Sequence, residues 1–201
     1  LSKRYGETAV SKIKTPIYRI KVTLRHVAPP IWRRIEVPAD TKLGKLHRIL
    51  QAVMGWSDSH LHVFRTGHTT YGVPDPDSPD DMEIENERNV RLDEIANERD
   101  APIYEYDFGD GWEHELKIEK VLIAEASVRY PACLAGKRAC PPEDCGGPPG
   151  YEHLLEALRD PKHEEHEEMR EWVPEGFDPE AFDLGDINRA LHDTTVLREV
   201  R

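Results

Sequence analysis

The residues best suited to chemistry are concentrated between Tyr106 and His114, where acidic and aromatic side chains and a histidine surround two glycines. Residues alternate as in strands on both sides of Gly109 and Gly111, which predicts a hairpin with Asp110 at its apex. Converging carboxylates and a histidine can bind a hard cation or exchange protons with a ligand. An alternative stays open, in which the acids bond the backbone amides of the turn and His114 belongs to the core.

A second constrained group of acids, Glu143 and Asp144, follows two prolines and precedes two glycines. Because this loop and the hairpin tip both present carboxylates on a restrained backbone, we expect them to line one shared cleft. The predicted cleft residues are Asp107, Asp110, Trp112, His114, Glu143 and Asp144. The acidity of such a cleft favours a cation, a basic peptide or another polar ligand over a bare phosphate.

Three cysteines, Cys133, Cys140 and Cys145, give the strongest hint of a metal. Their spacing, C-x6-C-x4-C, differs from that of a C-x2-C knuckle, and tetrahedral zinc needs a fourth ligand. The candidates for that ligand are His60, His62 and His114. Zinc bound by these thiolates is one hypothesis. The others are free thiols in a loop held by its prolines and by packing, or a disulfide, which is rare in a reducing compartment.

Two further pairs of histidines have spacings that metal sites use. His60 and His62 are two positions apart on a predicted strand and share a face, but Phe64 shares it as well, which favours a structural role. His163 and His166 are three positions apart on a predicted helix. That helix is so rich in glutamate that we expect a solvated face rather than a metal site.

The chemistry-bearing residues need a framework, and hydrophobic periodicity predicts it. Alternation predicts strands near 17-25, 31-37, 60-66, 102-108 and 112-123, with a partner for the third near 69-72. An apolar stripe predicts a helix over 41-54 that Gly55 closes. Asp40 or Thr41 is the expected N-cap of that helix.

The remaining segments are predicted from their prolines and glycines. Pro131 to Gly150 is predicted to be a long loop without regular structure, which is usually functional or held by other means. Two Asp-Pro pairs downstream predict helices that begin near Pro161 and Pro179. Pro74 to Asp81 is predicted to be an exposed loop, because its prolines remove donors and its acids repel one another.

Charge and hydropathy restrict the class of protein. The net charge is -12, yet residues 1 to 60 carry an excess of eight basic residues and residues 150 to 183 an excess of nine acids. We expect these regions to attract each other, which leaves the basic strip (Arg19, Lys21, Arg25, Arg34) unavailable to nucleic acid. No apolar run approaches the ~20 residues that span a bilayer, and no signal peptide is recognisable. We therefore expect a cytoplasmic protein without a membrane partner.

Three stretches carry a family resemblance: Ile31-Trp32-Arg33, the hairpin from Tyr106 to His114, and the segment from Cys140 to Gly147. Together they resemble the plasmid pRiA4b ORF-3-like family, with similarity from about Ile17 to Leu191. The resemblance implies an α+β fold whose first part is a β-grasp-like mixed sheet with a packed helix, followed by C-terminal helices. It also implies an association of some members with mobile elements. Some relatives carry a resolvase-like label, but Ser57 and Ser59 lie in no motif that would make either a nucleophile.

The predicted organisation is an N-terminal tail over 1-15 and one α+β domain over 16-201. Within this domain, the β-grasp-like part covers about 16-125. The Pro/Gly/Cys loop over 131-150 and a helical part over 150-195 follow.

Two classes of function fit these features well, and a third fits them weakly. The favoured one is a non-enzymatic binding module, in which the hairpin and the Cys-Pro-Pro-Glu-Asp loop line a groove for a protein or peptide partner. The alternative is a metal-assisted hydrolase or nuclease that uses the carboxylates and histidines. A DNA-associated protein of mobile elements is a further alternative. The acidic total and the lack of a helix-turn-helix or RNA-binding signature disfavour it.

Overall fold

The computed structural model describes residues 15–74 and 83–193. The strands in these residues are β1 (Pro16–Leu24), β2 (Trp32–Pro38), β3 (His62–Thr66), β4 (Thr69–Gly72), β5 (Ile84–Asn86), β6 (Ile103–Tyr106), β7 (Trp112–Ile123) and β8 (Ala132–Lys137). The helices are α1 (Leu43–Met54), α2 (Leu92–Ile95), α3 (Gly147–Arg159), α4 (His166–Trp172) and α5 (Leu184–His192). The predicted tail, except Thr15, and the predicted loop over Pro74 to Asp81, except Pro74, lie outside the described residues.

All eight strands form one sheet in the order β5-β4-β3-β6-β7-β1-β2-β8. Neighbouring strands are antiparallel except β4 and β5, which run parallel, so the sheet is mixed. The predicted α+β class is therefore confirmed. The strand–strand–helix order of the β-grasp-like prediction is present in β1, β2 and α1. On the other side of β1, β7 runs antiparallel to it.

One face of the sheet is packed and the other is largely polar, as is common in antiparallel sheets. Along β1, Ile20, Val22 and Leu24 are buried, whereas Arg19 and Lys21 alternate with them on the opposite face. The apolar stripe of α1 belongs to the same cluster of buried residues as the packed face of β1. Each fully buried aliphatic side chain contributes about 1.5–3 kcal/mol to that packing.

The two ends of α1 differ in how well they were predicted. Lys42 occupies the N-cap without a side-chain bond, and the Thr41 hydroxyl donates to the Pro38 carbonyl at 2.6 Å. Neither Asp40 nor Thr41 therefore caps the helix as predicted. At the other end, Gly55 adopts a φ of 80°, so its role in closing the helix is confirmed.

The segment from Pro131 to Gly150 is not the irregular loop that the sequence predicts, because it contains β8 and the start of α3. β8 pairs with β2, and Asn188 of α5 covers part of its outer edge. The Asn188 amide accepts from the Cys133 N–H and donates to the Cys133 carbonyl, both at 2.9 Å. One side chain thus replaces a neighbouring strand at this point. Small residues weaken the alternation of β8, which explains why periodicity did not reveal it.

The last two helices begin at least a turn later than the Asp-Pro pairs at Pro161 and Pro179 predict. In each pair the aspartate, Asp160 or Asp178, accepts an N–H bond at 2.9 Å from the residue two positions later, which makes a turn. The N-cap of α5 is instead Asp183. No helix among residues 15–74 and 83–193 combines the length and apolar character needed to cross a bilayer.

Arg19 of β1, Arg34 of β2 and Arg25, which directly follows β1, form ion pairs with glutamates of β2 and β7. The ion pairs are Arg19–Glu36, Arg25–Glu113 and Arg34–Glu119, each at 2.7 Å. Within the described chain, no ion pair joins residues 15–60 to residues 150–183. The predicted attraction between these two regions therefore does not take the form of direct ion pairs, because cross-strand neighbours lie closer and neutralise the basic groups.

Candidate binding site at the hairpin tip

β6 and β7 form the predicted hairpin, and Asp107 organises its turn. Asp107 and Gly111 have positive φ angles of 57° and 67°. The Asp107 Oδ1 atom accepts N–H bonds from Gly109 at 3.0 Å and from Asp110 at 3.3 Å. Asp107 therefore holds the turn, as the structural alternative predicts. Its other carboxylate oxygen, Oδ2, lies near His60.

The hairpin tip lies directly against the segment that begins α3. The Gly146 N–H donates to Asp110 Oδ2 at 3.2 Å. Gly147 approaches the Asp110 carbonyl so closely that a Cβ atom would lie 2.2 Å from its oxygen, and its φ is 68°. Glycine alone meets both conditions without strain. The structure thus places the tip beside the loop that contains Glu143.

Glu143 fastens this loop to two other segments. Its carboxylate accepts bonds from the Tyr106 hydroxyl at 2.7 Å, the Ser57 hydroxyl at 2.6 Å and the Ser57 N–H at 3.0 Å. Burial and then the bond to Glu143 raise the pKa of Tyr106, so its hydroxyl remains a donor. Because both carboxylate oxygens are engaged, Glu143 shapes the site rather than offering a free ligand atom.

Three further polar side chains at the tip, His60, Asp107 and Asp144, form a group that we call the His60 cluster. His60 Nε2 lies 3.2 Å from Asp144 Oδ1 and 3.6 Å from Asp107 Oδ2. One potential ligand atom of each residue lies within 4.8 Å of the other two. The side chain of Asp144 is 72% exposed and that of Asp107 is 11% exposed, so the cluster extends from the turn to solvent.

Two exposed apolar side chains border the His60 cluster. Leu61 follows His60 and is 68% exposed, and Phe108 follows Asp107 and is 50% exposed. The Asp107 N–H donates to the Leu61 carbonyl at 2.9 Å, so the two segments are adjacent. Negative charge and apolar surface therefore occur together at the hairpin tip.

Two predicted cleft residues, Trp112 and His114, lie in the core instead. Trp112 is 1% exposed and His114 is fully buried. Burial lowers the pKa of His114 to about 4, so the ring is neutral near pH 7. The prediction that they line the cleft is therefore wrong. Alternation could have shown this, because both residues share a face with Leu116 and Ile118.

His60 joins the site although the sequence prediction did not include it in the cleft. The neighbouring histidine, His62, faces another direction and stacks on His47 with 3.6 Å between ring centroids. β3 pairs with β6 so that His62 lies opposite Tyr106, which brings His60 beside the turn. This register was not readable from the sequence.

His47 and His62 belong to a group of polar side chains that we call the His47 network, whose members are His47, Gln51, Asp58, His62, Glu87 and Tyr104. The Tyr104 hydroxyl lies 2.8 Å from His47 Nδ1 and accepts from the Gln51 amide at 2.9 Å. The opposite ring nitrogen, Nε2, lies 2.6 Å from Asp58. Burial is the main cause that lowers the pKa of His47 to about 4. Every polar atom of the His47 ring already has a protein partner.

The structure does not bring the three cysteine sulfurs together as the zinc hypothesis requires. Among the described residues, the groups with three potential metal ligands are the His60 cluster and His153–His163–Glu165, and neither includes a cysteine. Cys133, Cys140 and Cys145 are all free thiols. Burial raises the pKa of each, to about 11 for Cys140 and about 12 for Cys145, which disfavours the thiolate form.

Residues 16–186 match the model of the plasmid pRiA4b ORF-3-like protein family. The chain is similar to the uncharacterized protein y4hQ of Sinorhizobium fredii (strain NBRC 101917 / NGR234). The two are 42% identical over 183 residues, which cover 88% of this chain and 91% of that one. It is also similar to MM3350, a protein of unknown function from Methanosarcina mazei Go1, with a TM-score of 0.77 and 39% identity. That match covers 85% of this chain and 97% of the other. Neither protein name assigns an activity.

Proposed function

The chain belongs to the plasmid pRiA4b ORF-3-like family. We propose that this protein is a binding module that recognises a basic segment of a protein partner. The proposed site is the hairpin tip together with the Cys-Pro-Pro-Glu-Asp loop. The observation that carries the proposal is the His60 cluster with Leu61 and Phe108 exposed at its border.

The chemistry of this surface suits a lysine or arginine flanked by apolar residues. Asp144 and the Oδ2 atom of Asp107 can accept charge-assisted hydrogen bonds from an ammonium or guanidinium group. Phe108 can pack against the aliphatic stem of such a side chain or lie beneath its charge. The anchors of many protein interfaces combine an aromatic side chain with a desolvated charge in this way.

The restrained backbone of the site supports a binding role. Asp107 bonds two amides of the turn, Asp110 bonds Gly146, and Glu143 bonds Ser57. Groups that are already held in place lose little conformational entropy when a partner arrives. Little of the free energy gained from contacts with a partner is therefore lost in ordering the loops of the site.

Charge favours a basic protein partner over nucleic acid. The protein has a net charge of -12, and Arg19, Arg25 and Arg34 are engaged in ion pairs within the chain. An acidic protein attracts basic partners and repels phosphate at long range. The proposal retains the cytoplasm as the location, in keeping with three free thiols.

The test measures binding of short labelled peptides whose lysine or arginine content and apolar content are varied separately. We expect binding only when both are present, with weaker binding at high salt. The double variant Asp144→Asn, Phe108→Ser should lose about tenfold or more in affinity, equivalent to about 1.4 kcal/mol. Fluorescence polarisation gives the affinities.

The matched control changes the same kinds of side chain at the far end of the hairpin. Glu98 is exposed just before β6, and Ile123 is 81% exposed at the end of β7. The variant Glu98→Gln, Ile123→Ser should bind the peptides like the unaltered protein. Equal losses in both variants, or no selective binding of basic apolar peptides, would contradict the proposed site.

A second candidate function, a metal-assisted hydrolase, rests on the geometry of the same cluster. Two carboxylates and one imidazole within 4.8 Å of one another can hold a divalent ion and leave positions for water. Protein supplied with Mn²⁺ should then hydrolyse an activated phosphodiester such as bis(4-nitrophenyl) phosphate. Asp107→Asn should abolish that activity, and absence of Mn²⁺ binding by calorimetry would exclude this candidate.

A further inference from the structure

A second polar cluster lies on the helical part of the protein and shares no residue with the hairpin tip. His153 is on α3, and His163 and Glu165 are in the connection from α3 to α4. One potential ligand atom of each residue lies within 4.8 Å of the others. His153 Nε2 is 2.6 Å from Glu165 Oε2, and the two imidazole rings have centroids 5.5 Å apart.

Two imidazoles and one carboxylate form a ligand set that zinc prefers, with a water molecule as the fourth ligand. Ligand atoms in a tetrahedral zinc site are about 3.3 Å apart, because each lies about 2.0–2.1 Å from the ion. The His153–Glu165 contact would lengthen slightly as the ion replaces its proton. Small adjustments would therefore convert the hydrogen-bonded cluster into a metal site.

The cluster is accessible, and among the described residues only one long hydrogen bond competes for the ring of His163. The side chains of His153 and Glu165 are 49% and 38% exposed, so a hydrated ion can reach them. His163 Nδ1 accepts the Glu165 N–H at 3.2 Å, and ligation through this ring disturbs that one bond. A single hydrogen bond of this kind contributes little net stability in water.

We propose that His153, His163 and Glu165 bind one Zn²⁺ ion and thereby clasp α3 to the connection that leads into α4. The excess of nine acids over residues 150 to 183 attracts cations to this surface. Within the described chain those acids do not form ion pairs with the basic residues 15–60. This zinc site is independent of the proposed peptide binding. Its ligands are two histidines and a glutamate instead of the three cysteines that the sequence suggested.

The first experiment titrates the full chain, freed of metal by chelation, with ZnCl₂ in an isothermal calorimeter. We expect about one ion per chain in a site that depends on neutral imidazoles. At a free zinc concentration of about 100 times Kd, the Tm should rise by roughly 5–10 °C. Hydrogen exchange should slow in the α3–α4 connection and stay unchanged in β6 and β7.

Separate variants assign the site. His153→Ala and His163→Ala should each lower zinc affinity at least about tenfold and remove the local exchange protection. Glu165→Gln should weaken binding less, because an amide oxygen remains as a poorer ligand. The control is His26→Ala, which removes another exposed histidine paired with a glutamate, at 3.4 Å from Glu113. It should bind zinc like the unaltered chain.

Three outcomes would overturn the proposal. The first is the absence of zinc binding by the unaltered chain. The second is undiminished binding by both His153→Ala and His163→Ala. The third is loss of binding on Cys145→Ser or His60→Ala instead, which would place the ion at the thiols or at the hairpin tip. Unaltered peptide binding by His153→Ala would separate this site from the proposed function.

Discussion

The His47 network and the His60 cluster use the same kinds of side chain on neighbouring parts of the fold but leave their atoms in different states. In the network, Tyr104 and Asp58 occupy both nitrogens of the His47 ring. In the cluster, His60 faces Asp107 and Asp144, of which Asp144 is mostly exposed. Saturation by protein partners, and not residue type, therefore separates a structural histidine from one that can contact a ligand.

The His47 network and the His60 cluster also differ in burial, and therefore in how much they contribute to stability. A buried ionised ring would lose its hydration, so burial is the first cause of the lowered pKa of His47. The network therefore stabilises the fold only while its histidine is neutral. Asp144, the exposed member of the His60 cluster, lies at the surface, where substitutions change binding more than they change stability.

The largest expected effect is a loss of stability in acid. His47 and His114 have pKa values of about 4 in the folded protein, below the ordinary value of about 6.5. Between those values the unfolded chain binds protons that the folded chain does not, so stability falls as pH falls from about 6.5 to about 4. Each ring accounts for about 3 kcal/mol over that range. Urea unfolding at pH 7 and at about pH 5 measures the loss.

A variant at His114 sharpens this prediction. His114→Phe removes one titrating ring from the core and also a ring nitrogen, Nε2, that has no hydrogen-bond partner among the described residues. The variant should have a shallower dependence of stability on pH than the unaltered protein. A stability that does not change between pH 7 and about pH 5 in the unaltered protein would contradict the account of both rings.

A smaller effect is expected when the network loses one hydroxyl. Tyr104→Phe leaves His47 Nδ1 and the Gln51 amide without their buried partner, at a cost of about 1–3 kcal/mol. Tyr71→Phe is the matched control, because Tyr71 is only partly buried and its hydroxyl has no hydrogen-bond partner in the described parts of the chain. Chemical denaturation of both variants should show a loss for Tyr104→Phe alone.

The smallest effects are expected at the hairpin tip. Asp110→Ala removes the bond to the Gly146 N–H and should cost about 0.5–1.5 kcal/mol. Asp144→Asn changes an exposed side chain and should alter stability by less than about 0.5 kcal/mol. Both should weaken binding of basic peptides. An Asp110→Ala protein that fails to fold would show that the tip is architectural.

Local patterns in the sequence determined much of the fold. Alternation marked β1, β2, β3, β6 and β7, and the 3.6-residue period marked α1 up to Gly55. These elements follow from periodicity because each has one face in the core. The hairpin tip does lie beside the Glu143 loop, but the bond between the Gly146 N–H and Asp110 joins residues far apart in the chain, and local features alone do not dictate it.

Only the tertiary structure decided which residues share a site. The register of β3 on β6 brought His60 to the tip, while the packed face of β7 took Trp112 and His114 into the core. The pairing of β8 with β2 moved Cys133 away from any common site with Cys140 and Cys145. Sequence spacing cannot decide such matters, because they depend on contacts between residues far apart in the chain. Strand register and long-range packing set those contacts.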